Sequence, residues 1–283
     1  MFSDRNPSST RGSRTLKQVA LSLLGLAFLG IAACGETPKP KPQLDAPAGN
    51  WISLFNGSSL DGWIPKIAGH AAGENYGNTF RVEDGLLKVS YDQYGRFANQ
   101  FGSLFYSKPF SKYWLRVEYR FVGSLVSGAP RWAYKNSGLQ LHCQSPDSMH
   151  KDQQFPVNVE FDLIGGWYLG SRPTGNVCQS GTRVLIGGQR IQGQCSKLSD
   201  ITIRDSQWTT ALAEVEGGAR VRQAINGAEV VEYTDIQLDD SNVDAQHLIA
   251  QGADKNLTSG YISLQSNGHP VEFRRIEVLP IQN

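Results

Sequence analysis

The chain has 283 residues, with 27 basic and 26 acidic side chains and a formal net charge of +1 at pH 7. Six of the basic residues and three of the acidic ones precede Asn50, which leaves a net charge of −2 for the remainder. A nearly neutral domain without a basic run is poorly suited to nucleic acid, whose binding depends on neutralising phosphates. The length after Asn50 suits one large domain, and no feature indicates a second.

The first 34 residues are typical of an export signal. Four basic side chains precede an apolar run over residues 19–29, and Ile31-Ala32-Ala33-Cys34 follows. The apolar run is too short for a comfortable membrane span. The cysteine directly after small residues resembles a bacterial lipobox, in which Cys34 is lipid-modified. We therefore expect an exported lipoprotein held at the cell envelope, in the outer membrane or periplasm if the cell is Gram-negative. The alternative is an ordinary Cys34 in an uncleaved anchor.

Residues 35–49 are rich in proline and have no apolar periodicity, which predicts an extended tether. The folded domain is then expected over residues 50–283. Within it, short alternating segments are separated by turn-forming pairs that tolerate positive φ. These pairs are Asn56-Gly57, Asp61-Gly62, Asp84-Gly85, Gly217-Gly218, Asn226-Gly227 and Asn267-Gly268. Only residues 242–252 favour a helix. The pattern predicts an all-β jelly roll or β-sandwich.

Two neighbouring segments carry the polar residues of interest. In residues 155–166, Glu160 and Asp162 alternate with apolar side chains and so share one face of a predicted central strand. In residues 136–143, alternation places Gln140 and His142 together, with Cys143 on the apolar face. If the two strands pair, these side chains form a polar patch that is a candidate active or binding site. The alternative is that the carboxylates simply face solvent.

Three cysteines follow the signal. Cys178 and Cys195 bracket a glycine-rich insert, and in an exported protein we expect them to form a disulfide. Cys143 is then a small buried apolar side chain. The insert belongs to a long irregular region, residues 167–200, whose length indicates a rim beside the site. No cysteine or histidine spacing matches a zinc motif.

Six segments, in order along the chain, resemble the 3-keto-disaccharide hydrolase family, also described as a 3-keto-glucoside lyase and hydratase domain. They are LFNGSSLDGW, FRVEDGLLKV, NSGLQLH, VNVEFDLIGG, INGAEVVEYTD and GYISLQSNGHPVEFRRIEVLPI. The resemblance implies a concanavalin A-type jelly roll and a glycoside substrate already oxidised at C3. One departure is that many members carry Glu-x-Gln on the central strand, where this chain has Glu160 and Asp162.

A C3 ketone acidifies the proton on C2, so that elimination of the C1 substituent needs one base, one acid and donors for the enolate. The resemblance implies Glu160 as base and His142 or Asp162 as acid. The expected substrate-binding residues are Arg81, Asn136, Gln140 and Gln265, with Trp167 stacking on a sugar ring. A divalent ion on Glu160, Asp162 and His142 is chemically possible, but no spacing requires one.

Three other interpretations remain. Glu160-Phe161-Asp162 is similar to the signature of jelly-roll endoglucanases, but the third acid would fall at Gly165 or Gly166, which disfavours a conventional two-carboxylate glycosidase. A carbohydrate-binding module without catalysis is the main alternative, since jelly rolls host both lectins and enzymes. A structural lipoprotein without a ligand is the third.

Overall fold

A computed structural model describes residues 41–282. The predicted export signal, Cys34 and the first part of the tether lie outside these residues. The strands are β1 (Ile52–Ser53), β2 (Trp63–Ile67), β3 (Phe80–Glu83), β4 (Leu86–Val89), β5 (Gly102–Tyr106), β6 (Lys112–Phe121), β7 (Asn136–Cys143), β8 (Asn158–Ile164), β9 (Val177–Ser180), β10 (Thr182–Ile186), β11 (Gln189–Arg190), β12 (Thr209–Glu216), β13 (Arg220–Ile225), β14 (Ala228–Leu238), β15 (Tyr261–Ser266) and β16 (Val271–Pro280).

Within the described part of the chain, helical structure is limited to α1 (Val243–Ala250) and three 3₁₀ turns, Tyr76–Asn78, Arg131–Ala133 and Pro146–Ser148. Asn242 caps α1, because its side-chain oxygen accepts hydrogen bonds from the backbone N–H groups of Asp244 and Ala245. Among residues 41–282, no helix is long and apolar enough to cross a membrane.

The strands form two antiparallel sheets. The ten-stranded sheet has the order β11-β10-β14-β13-β12-β6-β16-β4-β3, with β1 added beside β16. The six-stranded sheet has the order β2-β5-β15-β7-β8-β9. Both inner faces contribute to one core of buried aliphatic and aromatic side chains. The all-β jelly-roll prediction is confirmed, and the outer face of the smaller sheet is left for polar side chains.

Tight turns join the hairpins where the sequence predicts them. Asp84 and Gly85 between β3 and β4 both have positive φ, as do Asn226 and Gly227 between β13 and β14. Two consecutive residues with positive φ match the twist of a two-residue hairpin. The region expected to be irregular over residues 167–200 is more ordered than predicted, since it contains β9, β10 and β11. These strands have only two to five residues each, too few to give a clear alternation.

The end of the predicted tether packs on the domain. Gln43 forms a β-bridge with Ala228, and the backbone N–H of Leu44 donates to the Gly227 carbonyl at 2.9 Å. Leu44 is 3% exposed and packs with Leu212 on the outer face of the ten-stranded sheet. The described part of the predicted tether is thus held on the domain at Gln43 and Leu44, because a leucine among the prolines has an apolar surface to cover.

We expect Leu44→Ala to lower the free energy of unfolding by about 2 kcal/mol or more, since a buried leucine loses both its transfer energy and its packing. Urea unfolding followed by tryptophan fluorescence measures this loss. Val243→Ala, at a side chain that is 73% exposed, is the matched control. Equal stability of the Leu44→Ala protein and the parent would show that this segment is not held on the sheet.

Candidate active site

Two carboxylates stand on the outer face of the six-stranded sheet. On β8, the side chains of Val159, Phe161 and Leu163 are fully buried between the sheets. Alternation along the strand therefore turns Glu160 and Asp162 to the other face. The sequence predicted this arrangement.

The pairing of β8 with β7 brings the two carboxylates together. Gln140 lies opposite Glu160, and Gly138 lies opposite Asp162. The Glu160 side chain lies across Gly138, since a Cβ atom added there would be 2.7 Å from its Cγ, Cδ and Oε1 atoms. Only glycine leaves this space. One oxygen of each carboxylate and the Cys178 sulfur lie within 4.8 Å of one another.

A chain of side-chain amides ends on Glu160. Gln265 Nε2 donates to Glu160 Oε2 at 2.8 Å. Asn267 Nδ2 in turn donates to Gln265 Oε1 and to Asn136 Oδ1. With its oxygen engaged by Asn267, Gln265 presents its nitrogen to the carboxylate. The chain thus favours Glu160 in its charged form.

Gln140 is held from the opposite end. Its Oε1 accepts hydrogen bonds from Ser103 Oγ and Ser263 Oγ, each at 2.7 Å. The amide nitrogen is left on the side of Glu160, its cross-strand neighbour. Both glutamines thus present N–H groups to the same carboxylate.

The two acids differ in how they are solvated. Burial raises the pKa of Glu160 to about 7, and the hydrogen bond from Gln265, together with the nearby Gln140 amide, partly offsets this rise. Burial, with the charge of Glu160 added, raises the pKa of Asp162 well above its usual range, against a weaker pull from the Arg172 guanidinium. Asp162 is 5% exposed, and among residues 41–282 no donor hydrogen-bonds its carboxylate. Asp162 is therefore the member of the pair that holds a proton.

The carboxylates open into a cleft of about 400 Å³. Besides the two carboxylates, the cleft is lined by side chains from neighbouring strands and the segments next to them: Trp132, Asn136, Phe155, Ile164, Cys178, Ser180, Gln194, Cys195, Gln265 and Asn267. The disulfide between Cys178 and Cys195 lies in this lining, so the region predicted to form a rim does border the site. The volume is in the range of small-molecule sites.

A second depression, of about 420 Å³, lies beside β10 and β11. Its one carboxylate, Asp239, forms an ion pair with Arg183 at 2.5 Å. That depression offers no group free for acid–base chemistry, so the cleft over Glu160 and Asp162 is the stronger candidate.

Residues 50–279 match the model of the 3-keto-alpha-glucoside-1,2-lyase-like domain. The chain belongs to this family. Family membership makes it a carbohydrate-active, glycosyl-hydrolase-like protein. It also agrees with the resemblance found in the sequence.

Three solved structures are similar in fold. A Bacillus subtilis protein of unknown function with a galectin-like fold is 13% identical with a TM-score of 0.49, over 84% of this chain and 98% of the other. A Parabacteroides distasonis protein named as a candidate glycosyl hydrolase is 15% identical with a TM-score of 0.48, over 82% and 95%. A Bacillus licheniformis beta-glucanase is 11% identical with a TM-score of 0.45, over 83% and 100%. No curated protein matches the sequence.

In this family member, the predicted alternation of Gln140 and His142 on one face is wrong. His142 has a φ of 52°, and the register of β7 against β15 shifts between Gln140 and Cys143. Such a β-bulge inserts one extra residue and reverses the faces beyond it. His142 points inward, with Nε2 2.9 Å from the Gly217 carbonyl oxygen, and burial lowers its pKa to about 4. His142 does not line the cleft, which leaves Asp162 as the predicted acid.

The same bulge moves Cys143 away from the face of Leu139 and Leu141. Its thiol packs instead with Phe105 and Met149 and remains buried and unpaired. The prediction of a buried side chain therefore agrees with the structure, while the predicted face does not.

Arg81 and Trp167 also lie apart from the carboxylates. Arg81 is on β3 in the other sheet, and its guanidinium donates to both Asp92 oxygens at 2.8 and 2.7 Å. Trp167 stacks on Tyr134 at 4.9 Å between ring centroids, and the Arg172 guanidinium lies 4.7 Å from its ring. Neither side chain lines the cleft. Asn136 and Gln265 line the cleft, whereas Gln140 faces Glu160 but is fully buried and does not line the cleft.

Sequence reasoning missed four contributors to the site: Gly138, Trp132, Phe155 and Asn267. Asn267 was assigned only to a turn, although it ends the amide chain. Gly138 sits in the middle of a strand, where glycine is unfavourable and so signals a close approach. That signal was available. Trp132 and Phe155 come from irregular segments with no periodicity to place them.

The site offers few ligands to a divalent ion. Among residues 41–282, the one suitable group of His, Cys, Asp and Glu side chains is Glu160, Asp162 and Cys178. Cys178 is in a disulfide and supplies no thiolate. His142, the third ligand considered from the sequence, points away. Two carboxylates alone are a poor match to the ligand number that such ions take.

The raised pKa values predict a pH-dependent cost in stability. Because folded Glu160 and Asp162 hold their protons more tightly than the unfolded chain does, stability is lost as the pH rises from about 4, the ordinary pKa, through about 7. We expect Asp162→Asn to remove part of this loss. The melting temperature of the variant minus that of the parent should increase between pH 4.5 and 8.

Scanning calorimetry across that range measures the difference. Asp61→Asn, an exposed aspartate in a turn, is the control and should give a constant difference. An Asp162→Asn difference that stays flat with pH would contradict the assignment of a proton to this pair.

Proposed function

We propose that the protein cleaves 3-keto-glycosides by elimination across C1 and C2, followed by addition of water. The observation that carries this proposal is the unequal pair on β8: Glu160 accepts a hydrogen bond from the Gln265 amide, and among the described residues the Asp162 carboxylate accepts none. Such a pair provides a base and an acid a few ångströms apart, as elimination next to a ketone requires.

The elimination uses both carboxylates. Glu160 takes the C2 proton, the C2–H electrons form the C1=C2 double bond, and the C1–O bond breaks. Asp162 gives its proton to the departing oxygen. The products are an unsaturated 3-keto sugar, which keeps its C2 hydroxyl, and a free alcohol.

Addition of water across the double bond then gives the free 3-keto sugar. In this step the water proton goes to Asp162 and the proton held by Glu160 returns to C2, so both side chains regain their starting states. Elimination and hydration together amount to hydrolysis of the glycoside.

Asn136 lines the cleft, and its Oδ1 accepts from Asn267. Its Nδ2 is thereby oriented away from that bond and can donate to a substrate oxygen. Because Asn136 lies opposite Ile164, on the far side of Asp162 from Glu160, that oxygen is the departing oxygen on C1. A preorganised donor of this kind stabilises charge that develops in the transition state.

Replacement of Glu160 tests the proposal. We expect Glu160→Gln to lower kcat for a 3-keto-glucoside by about 100-fold or more, because the amide keeps the shape but cannot take a proton. The assay compares 3-keto-glucosides with their unoxidised parents by product analysis. Glu232→Gln, at a partly exposed glutamate on β14 in the other sheet, is the control.

Unchanged turnover in Glu160→Gln would remove this residue from the mechanism. Binding of glycans by the parent without turnover of any substrate would favour the alternative, a carbohydrate-binding module. The half-exposed Trp132 beside the carboxylates is the observation that keeps this alternative open.

We also propose that the protein is exported and held at the cell envelope by a lipid on Cys34. Support comes from the basic and apolar segments before Ile31-Ala32-Ala33-Cys34. We expect Cys34→Ser to abolish incorporation of a labelled fatty acid and to release a folded, soluble domain. Labelling that persists in this variant would contradict the proposed anchor.

A further inference from the structure

One aromatic side chain of the cleft has an open face. Trp132 is 49% exposed and lines the cleft together with Glu160 and Asp162. Its ring lies parallel to that of Phe101, with 5.5 Å between centroids and 9° between planes. Phe101 therefore covers one face of the indole, and the other is available to a ligand. Phe155 contacts the same Phe101 at 5.0 Å, which extends the apolar surface along the cleft.

The position of Trp132 relative to the two acids follows from the strand register. Trp132 lies just before β7, whose first residue, Asn136, is opposite Ile164 at the end of β8. From that end, the outward side chains of β8 are met in the order Ile164, Asp162, Glu160. The proton donor thus lies nearer than the base to the Trp132 end of the cleft.

The backbone around Trp132 is fixed by a half-buried arginine. Arg172 Nη2 donates to the Trp132 carbonyl at 2.8 Å, and its Nη1 donates to the Gly165 carbonyl at 2.9 Å. The second bond links this turn to the chain directly after β8. The backbone that carries the ring is therefore positioned relative to the strand that carries the acids.

We infer that Trp132, backed by Phe101, is the platform of a leaving-group subsite that binds a ring with a flat apolar face. This inference rests on the proposed function and extends it to the other half of the substrate. The 3-keto ring lies over Glu160, the C1 oxygen lies at Asp162, and the departing group stacks on the indole. A pyranose ring and an aryl group share the required chemistry, because each presents C–H or π surface to an aromatic face.

Two other aromatic side chains, near this turn but outside the cleft lining, do not provide such a surface. Trp167 is stacked between Tyr134 and Arg172. Tyr168 is 94% exposed, has no stacking partner among the described residues and lies outside the cleft lining. Tyr168→Ala is therefore a matched control for removal of an exposed aromatic ring.

The experiment uses three substrates that share the 3-keto-glucose ring and differ in the departing group: methyl, glucosyl and phenyl. We expect Trp132→Ala to lower kcat/KM for the glucosyl or phenyl substrate at least tenfold more than for the methyl substrate. A loss of this size is expected when an aromatic stacking contact and the area that it buries are removed. Trp132→Phe should recover most of the loss, and Tyr168→Ala should change none of the three. The substrate whose kcat/KM falls further shows whether the departing ring that the subsite binds is a sugar or an aryl group.

Binding separates this inference from the proposed function. Titration calorimetry measures the Kd of the same three ligands for Glu160→Gln and for the double variant Glu160→Gln, Trp132→Ala. If no 3-keto substrate is turned over, the unoxidised phenyl and glucosyl glucosides are used instead. Tighter binding of a ring-bearing ligand that is lost with Trp132 supports the subsite even without catalysis. Equal losses for all three ligands, or no loss, overturn it. The methyl ligand and the Trp132→Phe variant are the controls for a general folding defect.

Discussion

The candidate site depends on the register between β7 and β8. This pairing sets Gln140 opposite Glu160 and Gly138 opposite Asp162, so an amide faces one acid and open space faces the other. The Glu160 side chain uses the open space and approaches its neighbour. A shift of one residue would turn Glu160 and Asp162 into the core, because side chains alternate between faces. The buried side chains of Val159, Phe161 and Leu163 oppose such a shift.

Burial has opposite consequences for stability and for chemistry at this strand. A carboxylate without donors in an apolar setting costs free energy when it ionises, and a second carboxylate nearby adds to that cost. The same cost keeps a proton on Asp162 in a pH range where an exposed aspartate has lost it. Gln265 and Asn267 limit the cost at Glu160 alone, so two acids two residues apart acquire different roles.

The sequence was sufficient where a single periodicity governed the structure. Alternation and turn pairs predicted the all-β fold and the shared face of Glu160 and Asp162, because β8 is regular throughout. Prediction failed at His142, where a bulge breaks the alternation of side chains along β7. It also failed at Arg81, which lies in the ten-stranded sheet and is paired with Asp92. Trp132 could not be placed from sequence, since its position depends on contacts with Phe101 and Arg172 from distant parts of the chain.

The packing of Leu44 determines the side of the domain on which the preceding chain begins. The segment lies on the outer face of the ten-stranded sheet, whereas the cleft opens on the outer face of the six-stranded sheet. The core of the sandwich separates these two surfaces. The point at which the preceding chain joins the domain is therefore on the opposite side of the sandwich from the mouth of the cleft.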